Sequence, residues 1–158
     1  MSLLMLTECG FIFSNPFMFP KRKSFNPKRR FASASIRADL ERIAAEVRYG
    51  GNPEHKRNPG DFGLTPPASP RLDKTLCDEA GIFHRSLALD LLREGIRRGL
   101  VSKQGEPCPQ NIWAVSGEGV PLEAQLENPV NGTYHGYPMP EADPFRKVVI
   151  ERWRAARE

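Results

Sequence analysis

The sequence lacks the short motifs that mark several large enzyme classes. It contains no GxxxxGK[ST] phosphate-binding loop, no GxGxxG dinucleotide fingerprint, no HExxH zinc motif and no GxSxG nucleophile elbow. Its three cysteines, Cys9, Cys77 and Cys108, have no zinc-like spacing, and an odd number argues against a disulfide framework. We therefore predict neither a P-loop hydrolase nor an elbow-type serine hydrolase, and neither a metal site nor a cofactor.

The sequence also lacks a long hydrophobic run. No apolar stretch reaches the roughly 18 residues that a membrane span needs, so we predict no membrane partner. The apolar opening has no basic residue before it, includes Glu8 and ends at Asn15-Pro16, which matches a secretory signal poorly. A cytoplasmic protein with reduced thiols is the simplest interpretation. An organelle transit segment and a natural start at Met18 are the alternatives.

Positive charge is concentrated at the N-terminus. Residues 1–34 hold six basic residues and one acid, whereas residues 35–158 hold 17 basic and 18 acidic residues. The six basic residues are Lys21, Arg22, Lys23, Lys28, Arg29 and Arg30. This block predicts a basic, disordered tail over residues 1–34 that suits nucleic acid, followed by a single domain over residues 35–158.

Hydrophobic periodicity predicts an α+β fold for the domain. Leu40, Ile43 and Val47 form an apolar helical stripe, whereas Leu122 to Leu126 alternates with the period of a strand. The predicted order is an N-terminal helix ended by Gly50-Gly51, a Pro/Gly-rich loop over residues 50–73, one or two central helices ended by Gly81 and Gly99, a three-stranded antiparallel meander, and a C-terminal helix capped by Asp143. A loop of that length is usually functional.

The three histidines are the first candidates for chemistry, because imidazole exchanges protons near neutral pH. His135 belongs to a predicted strand that places it with Thr133 and Tyr137 on one face and Tyr134 on the other. His55 lies in the long loop beside cations, and His84 precedes the second helix. We predict His135, His55 and His84 as catalytic candidates.

Cations and tyrosines near these histidines are candidate substrate ligands. Lys56, Arg57, Arg71 and Lys74 could contact phosphate, and Tyr134 or Tyr137 could stack on a base. An imidazole beside such cations is what cleavage of RNA by its own 2′-hydroxyl requires.

The element order and this residue set resemble small bacterial ribonuclease toxins, the group typified by barnase, RelE and the colicin tRNases. The resemblance covers roughly residues 35–158 and implies a metal-independent endoribonuclease of toxin or defence type. It implies acid, base and phosphate-binding roles for His55, Lys56, Arg71, His84, Tyr134 and His135. RNA would be the main partner, and an antitoxin could be a protein partner.

Two non-enzymatic interpretations remain open. Two short helices followed by strands have the element order of a winged helix, in which Arg93, Arg97 and Arg98 would face DNA or a protein. A structural subunit of a ribonucleoprotein would use the basic tail to bind RNA.

Overall fold

The computed structural model describes residues 29–33, 37–103 and 107–157. Its elements in chain order are α1 (Arg37–Glu46), β1 (Arg48–Tyr49), α2 (Arg85–Arg97), β2 (Asn111–Val115), β3 (Pro121–Asn128), β4 (Thr133–Pro138) and α3 (Phe145–Ala155). Three short 3-10 helices, Pro53–His55, Pro59–Phe62 and Cys77–Ala80, lie between β1 and α2. This arrangement confirms the predicted α+β class.

The three predicted strands are present as the antiparallel β2, β3 and β4, but the predicted strand number was wrong, because the sheet also contains β1. Over the residues that the structure describes, the sheet has four strands in the order β1-β4-β3-β2, and β1 pairs with β4 in parallel. Strand β1 begins directly after α1, so this helix ends at Glu46 and not at the predicted Gly50-Gly51. Two residues are too few to show a strand period in the sequence.

Helix α2 covers one face of the sheet. Ala88, Leu92 and Ile96 are buried, and Gly95 lies so close to β2 that an added Cβ would be 2.2 Å from the Trp113 carbonyl oxygen. Because side chains alternate along a strand, Ile112 and every second residue along β2 from it lie on this apolar face. The helix therefore packs on the sheet along its length.

The opposite face is polar at its centre. Directly paired residues share a face in an antiparallel sheet, and the register aligns Asn111 with Gln125 and His135, and Trp113 with Glu123 and Tyr137. We call the face that carries these six residues the polar face. At one end Trp113 is covered by Phe31 and by Phe145 of α3, at ring-centroid distances of 5.1 and 5.3 Å.

The loop between β1 and α2 is anchored by buried side chains. Phe62 is 2% exposed and packs edge-on against Tyr49, with ring centroids 5.9 Å apart. Gly51 has φ +88°, and an added Cβ would lie 2.8 Å from the Phe62 ring, so only glycine fits there. This anchoring fixes the path of the chain through Pro53–His55 and thereby the position of His55.

Candidate functional site on the polar face

His55 leaves the loop and stacks on the sheet. Its ring lies on the Tyr137 ring with centroids 4.9 Å apart and planes 21° apart. Its Nδ1 is 2.6 Å from the Thr75 carbonyl oxygen, and the Thr75 hydroxyl donates to the Pro138 carbonyl oxygen at 2.6 Å. The residue is 6% exposed. The loop thus places an imidazole against the polar face that strands β3 and β4 build.

The surroundings of His55 determine which ring nitrogen carries the proton and lower the pKa of the ring. A carbonyl oxygen can only accept, so Nδ1 carries the hydrogen and Nε2 has the free lone pair when the ring is neutral. Burial lowers the pKa of His55, the Thr75 hydrogen bond acts to raise it, and the charges of Lys74 and His135 lower it further. The net shift is downward, so His55 is neutral near pH 7 and has the character of a base.

His135 lies two residues before Tyr137 on the same face of β4, which places the two side chains roughly 7 Å apart along the strand. Its side chain is 22% exposed, and its Nδ1 is 3.8 Å from Glu127 Oε2. The pairing of β3 with β4 shifts register between Leu126 and Asn128, and bulges of this kind redirect side chains. Glu127 at this bulge places a carboxylate next to the His135 ring.

A buried carboxylate accepts a hydrogen bond from the Tyr137 hydroxyl. Glu123 is 1% exposed, and its Oε1 accepts a hydrogen bond from the Tyr137 hydroxyl at 2.9 Å. Gln125 donates to the same hydroxyl oxygen at 2.9 Å, and Trp113 donates to Glu123 Oε2 at 3.0 Å. Burial, followed by the charge of Glu123, raises the pKa of Tyr137. The hydroxyl therefore stays protonated and holds the ring on which His55 stacks.

Arg29 supplies the cation for this carboxylate. The guanidinium lies 2.8 Å from Glu123 Oε2 and 2.6 Å from Asp143 Oδ2. Burial acts to lower the pKa of Arg29, but the two carboxylates raise it overall. Arg29 thus contacts the sheet although the sequence places it in the nucleic-acid tail. Arg30 is exposed, and Lys21, Arg22, Lys23 and Lys28 lie outside the described residues.

Lys56 is held in the interior. Its side chain is 0% exposed, and its Nζ lies 2.9 Å from Asp78 Oδ1 and 3.6 Å from Asp61 Oδ2. It also donates to the Ile82 carbonyl oxygen at 3.2 Å. The ammonium thus neutralises the buried Asp78 carboxylate and lies near the exposed Asp61 carboxylate, and the site built around His55 does not include it.

The other predicted cations line a groove beside His55. Arg57, Arg71 and Lys74 border it together with prolines of the long loop, and its volume is about 240 Å³. Arg57 and Arg71 are exposed. Lys74 borders the groove and its charge also lowers the pKa of His55, so the groove and the histidine are neighbours.

Two predicted residues lie away from this cluster. His84 is exposed just before α2, the helix that packs on the apolar face. Tyr134 is 0% exposed, and its hydroxyl donates to the Pro109 carbonyl oxygen at 2.5 Å. The alternating burial of β4 confirms that Thr133, His135 and Tyr137 are separated from Tyr134. The structure brings His55, His135 and Tyr137 together, and His84 and Tyr134 belong to other surroundings.

Sequence reasoning missed the polar side chains that β3 contributes. Glu123, Gln125 and Glu127 alternate with apolar residues, and this alternation was used only to predict a strand. Three polar positions in succession on one side of a strand that pairs with the His135 strand were an available signal. A strand face that a core must cover would instead carry apolar residues.

Further observations concern only the described part of the chain. Among these residues, no three His, Cys, Asp or Glu side chains are grouped so that they could hold a metal ion. Cys77 and Cys108 are free thiols. No described helix has both the length and the apolar character needed to cross a bilayer.

Comparison with known proteins adds no relative. No protein-family model matches the chain, and no curated protein or solved structure shows significant similarity to it. Any functional argument therefore depends on the polar face itself.

Proposed function

We propose that the protein is an endoribonuclease that uses His55 and His135 as base and acid on the polar face. The observation that carries the proposal is the stacking of the His55 ring on Tyr137, which lies two residues from His135 on the same face of β4. His55 has a lowered pKa and a free Nε2, whereas His135 has a carboxylate 3.8 Å away. A neutral imidazole can accept a proton and a second imidazole can donate one, so the two side chains can serve as base and acid.

The proposed reaction balances with these two groups. His55 Nε2 removes the proton of the ribose 2′-hydroxyl, and the 2′-oxygen bonds to the adjacent phosphorus. The bond from phosphorus to the 5′-oxygen breaks, and His135 donates a proton to the departing oxygen. The products are a 2′,3′-cyclic phosphate and a free 5′-hydroxyl. Lys74, whose charge reaches His55, would stabilise the negative charge of the transition state.

The surroundings of the α2 arginines give less support to the winged-helix alternative. Arg93 Nε donates to the Ala44 carbonyl oxygen at 3.1 Å, and Arg97 pairs with Glu41 at 3.3 Å. Arg98 pairs with Glu94 at 2.7 Å and lies over the Trp153 ring. These side chains contact α1, α2 and α3 in the free protein, and a recognition helix would need them directed to a partner.

The test is RNA cleavage by single histidine variants in the presence of EDTA. We expect His135→Ala and His55→Ala each to lower the rate by about 10²- to 10⁴-fold, the usual contribution of a general acid or base. His84→Ala is a control of the same residue type, and it should cleave like the wild type because His84 lies outside the proposed site. His135→Ala should keep the thermal midpoint, since the side chain is partly exposed. Equal cleavage by wild type and His135→Ala would refute the proposal.

A further inference from the structure

The groove beside His55 has features that suit an extended nucleic-acid strand. Five prolines contribute to its walls, namely Pro53, Pro59, Pro66, Pro67 and Pro70. Proline fixes φ and limits the conformations of its neighbour, so these walls are stiff before any ligand binds. A stiff groove loses little conformational entropy on binding.

The charges that line the groove are mainly positive. Lys56, Arg57, Arg71 and Lys74 oppose a single acid, Glu54. Lys56 is neutralised by Asp78, but Arg57 and Arg71 project from exposed positions. Glu54 accepts a hydrogen bond at 3.0 Å from the Arg71 backbone nitrogen, which leaves the Arg71 guanidinium free of that carboxylate. The Arg71 guanidinium pairs instead with the carboxylate of Asp73, an exposed residue, at 3.2 Å.

The volume of the groove and its position near His55 limit the kind of ligand that it can bind. The groove volume of about 240 Å³ is slightly below the range of about 300–1,000 Å³ that is typical of small-molecule pockets, so the groove suits a short segment of one strand. A base-paired duplex could not enter such a recess. The groove lies near His55, because Pro53, Glu54 and Lys56, which flank His55 in the chain, line the groove.

From these observations we propose that the groove binds the phosphodiester backbone of single-stranded RNA beside the cleaved bond, through Arg57 and Arg71. This inference rests on the proposed function, because it names the substrate as a single strand that extends past the histidines. Arg57 and Arg71 bind the substrate in this proposal, and they take no part in proton transfer.

The arginine side chains can be truncated without removing the backbone hydrogen bonds at these two positions. Asp78 holds residue 57 through the backbone nitrogen at 2.8 Å, and Glu54 holds residue 71 through the backbone nitrogen. The double variant Arg57→Ala/Arg71→Ala keeps both hydrogen bonds and should fold normally. The matched control is Arg154→Ala/Arg157→Ala, which removes two exposed arginines at the C-terminal end of α3.

The experiment measures binding of a fluorescent 12-nucleotide 2′-O-methyl RNA by anisotropy at several salt concentrations. This probe cannot be cleaved through its 2′ position, so the result is independent of catalysis. We expect Arg57→Ala/Arg71→Ala to weaken binding at least tenfold. The slope of log K against log salt should become shallower by about 1.4, the value for two phosphate contacts on a single strand. The control variant should match the wild type.

Three results would overturn the groove assignment. The double variant could bind the single strand as the wild type does, a blunt RNA duplex could compete as well as the single strand, or a poly-glutamate peptide could displace the RNA at equal charge concentration. The last result would assign the groove to an acidic protein partner. A wild type that binds the strand with the predicted arginine dependence but cleaves no RNA would contradict only the ribonuclease proposal.

Discussion

Replacing Arg29 by methionine should destabilise the fold, because it leaves the buried Glu123 carboxylate without a cation. The guanidinium lies 2.8 Å from Glu123, whose side chain is 1% exposed. Removing one partner of a buried ion pair costs about 3–5 kcal/mol. We expect about 3 kcal/mol, the lower end of that range, because the Arg29 side chain is itself 19% exposed. Neutral donors such as Trp113 also remain on the carboxylate.

Urea unfolding measures this loss, and a thermal scan should show a midpoint lower by about 6–12 °C, at about 2–4 °C for each kcal/mol. Adding Glu123→Gln to the Arg29→Met variant should recover part of the stability, because the amide carries no charge to compensate. Arg154→Met, at an exposed position, is the control and should change stability by no more than about 0.5 kcal/mol. A loss below about 1 kcal/mol, the value of a surface pair, or no recovery on adding Glu123→Gln, would refute the reasoning.

Two further predictions concern stability. The pKa of His55 is lower in the folded protein than in the unfolded chain, so on acidification the unfolded chain takes up a proton at this residue first. The contribution of His55 to the free energy of unfolding should therefore be constant above about pH 6.5 and fall below it. Urea titrations at pH 7.5 and 5.5 should show this loss in the wild type and a smaller one in His55→Phe; equal losses would contradict the shift. Gly95→Ala should destabilise by about 1–3 kcal/mol despite better helix propensity, since its Cβ would meet the Trp113 carbonyl oxygen. Gly60→Ala, with nothing within 4 Å of the added Cβ, should be nearly neutral, and equal effects of the two changes would argue against close packing of α2.

The central and C-terminal helices were predictable because their signals are local. α2 runs from Arg85 to Arg97 and ends just before the predicted stop at Gly99, which has φ +75°. Strand β1 was not predictable, because its two residues gain their partners only through pairing with distant β4. Local propensity carries no information about such pairing.

The candidate site was predictable in composition but not in arrangement. His55, His135 and Tyr137 could be selected from the chemistry of their side chains, but their contact depends on the loop being anchored by Phe62 and by Thr75. The role of Lys56 was hidden, because its partner Asp78 lies 22 residues away in the chain. A charged residue in a polar loop looks solvated in the sequence, and only the fold shows that it is buried.

The most direct test of the central claim is the product formed from a DNA oligonucleotide that contains one ribonucleotide. If the histidines of the polar face act through the ribose 2′-hydroxyl, the wild type should cut only on the 3′ side of that ribonucleotide in EDTA. Mass spectrometry should then detect a terminal 2′,3′-cyclic phosphate, and His135→Ala should form at least about 100-fold less of it. Cleavage of the all-deoxy strand, or products that end in a 3′-hydroxyl and a 5′-phosphate, would contradict the account.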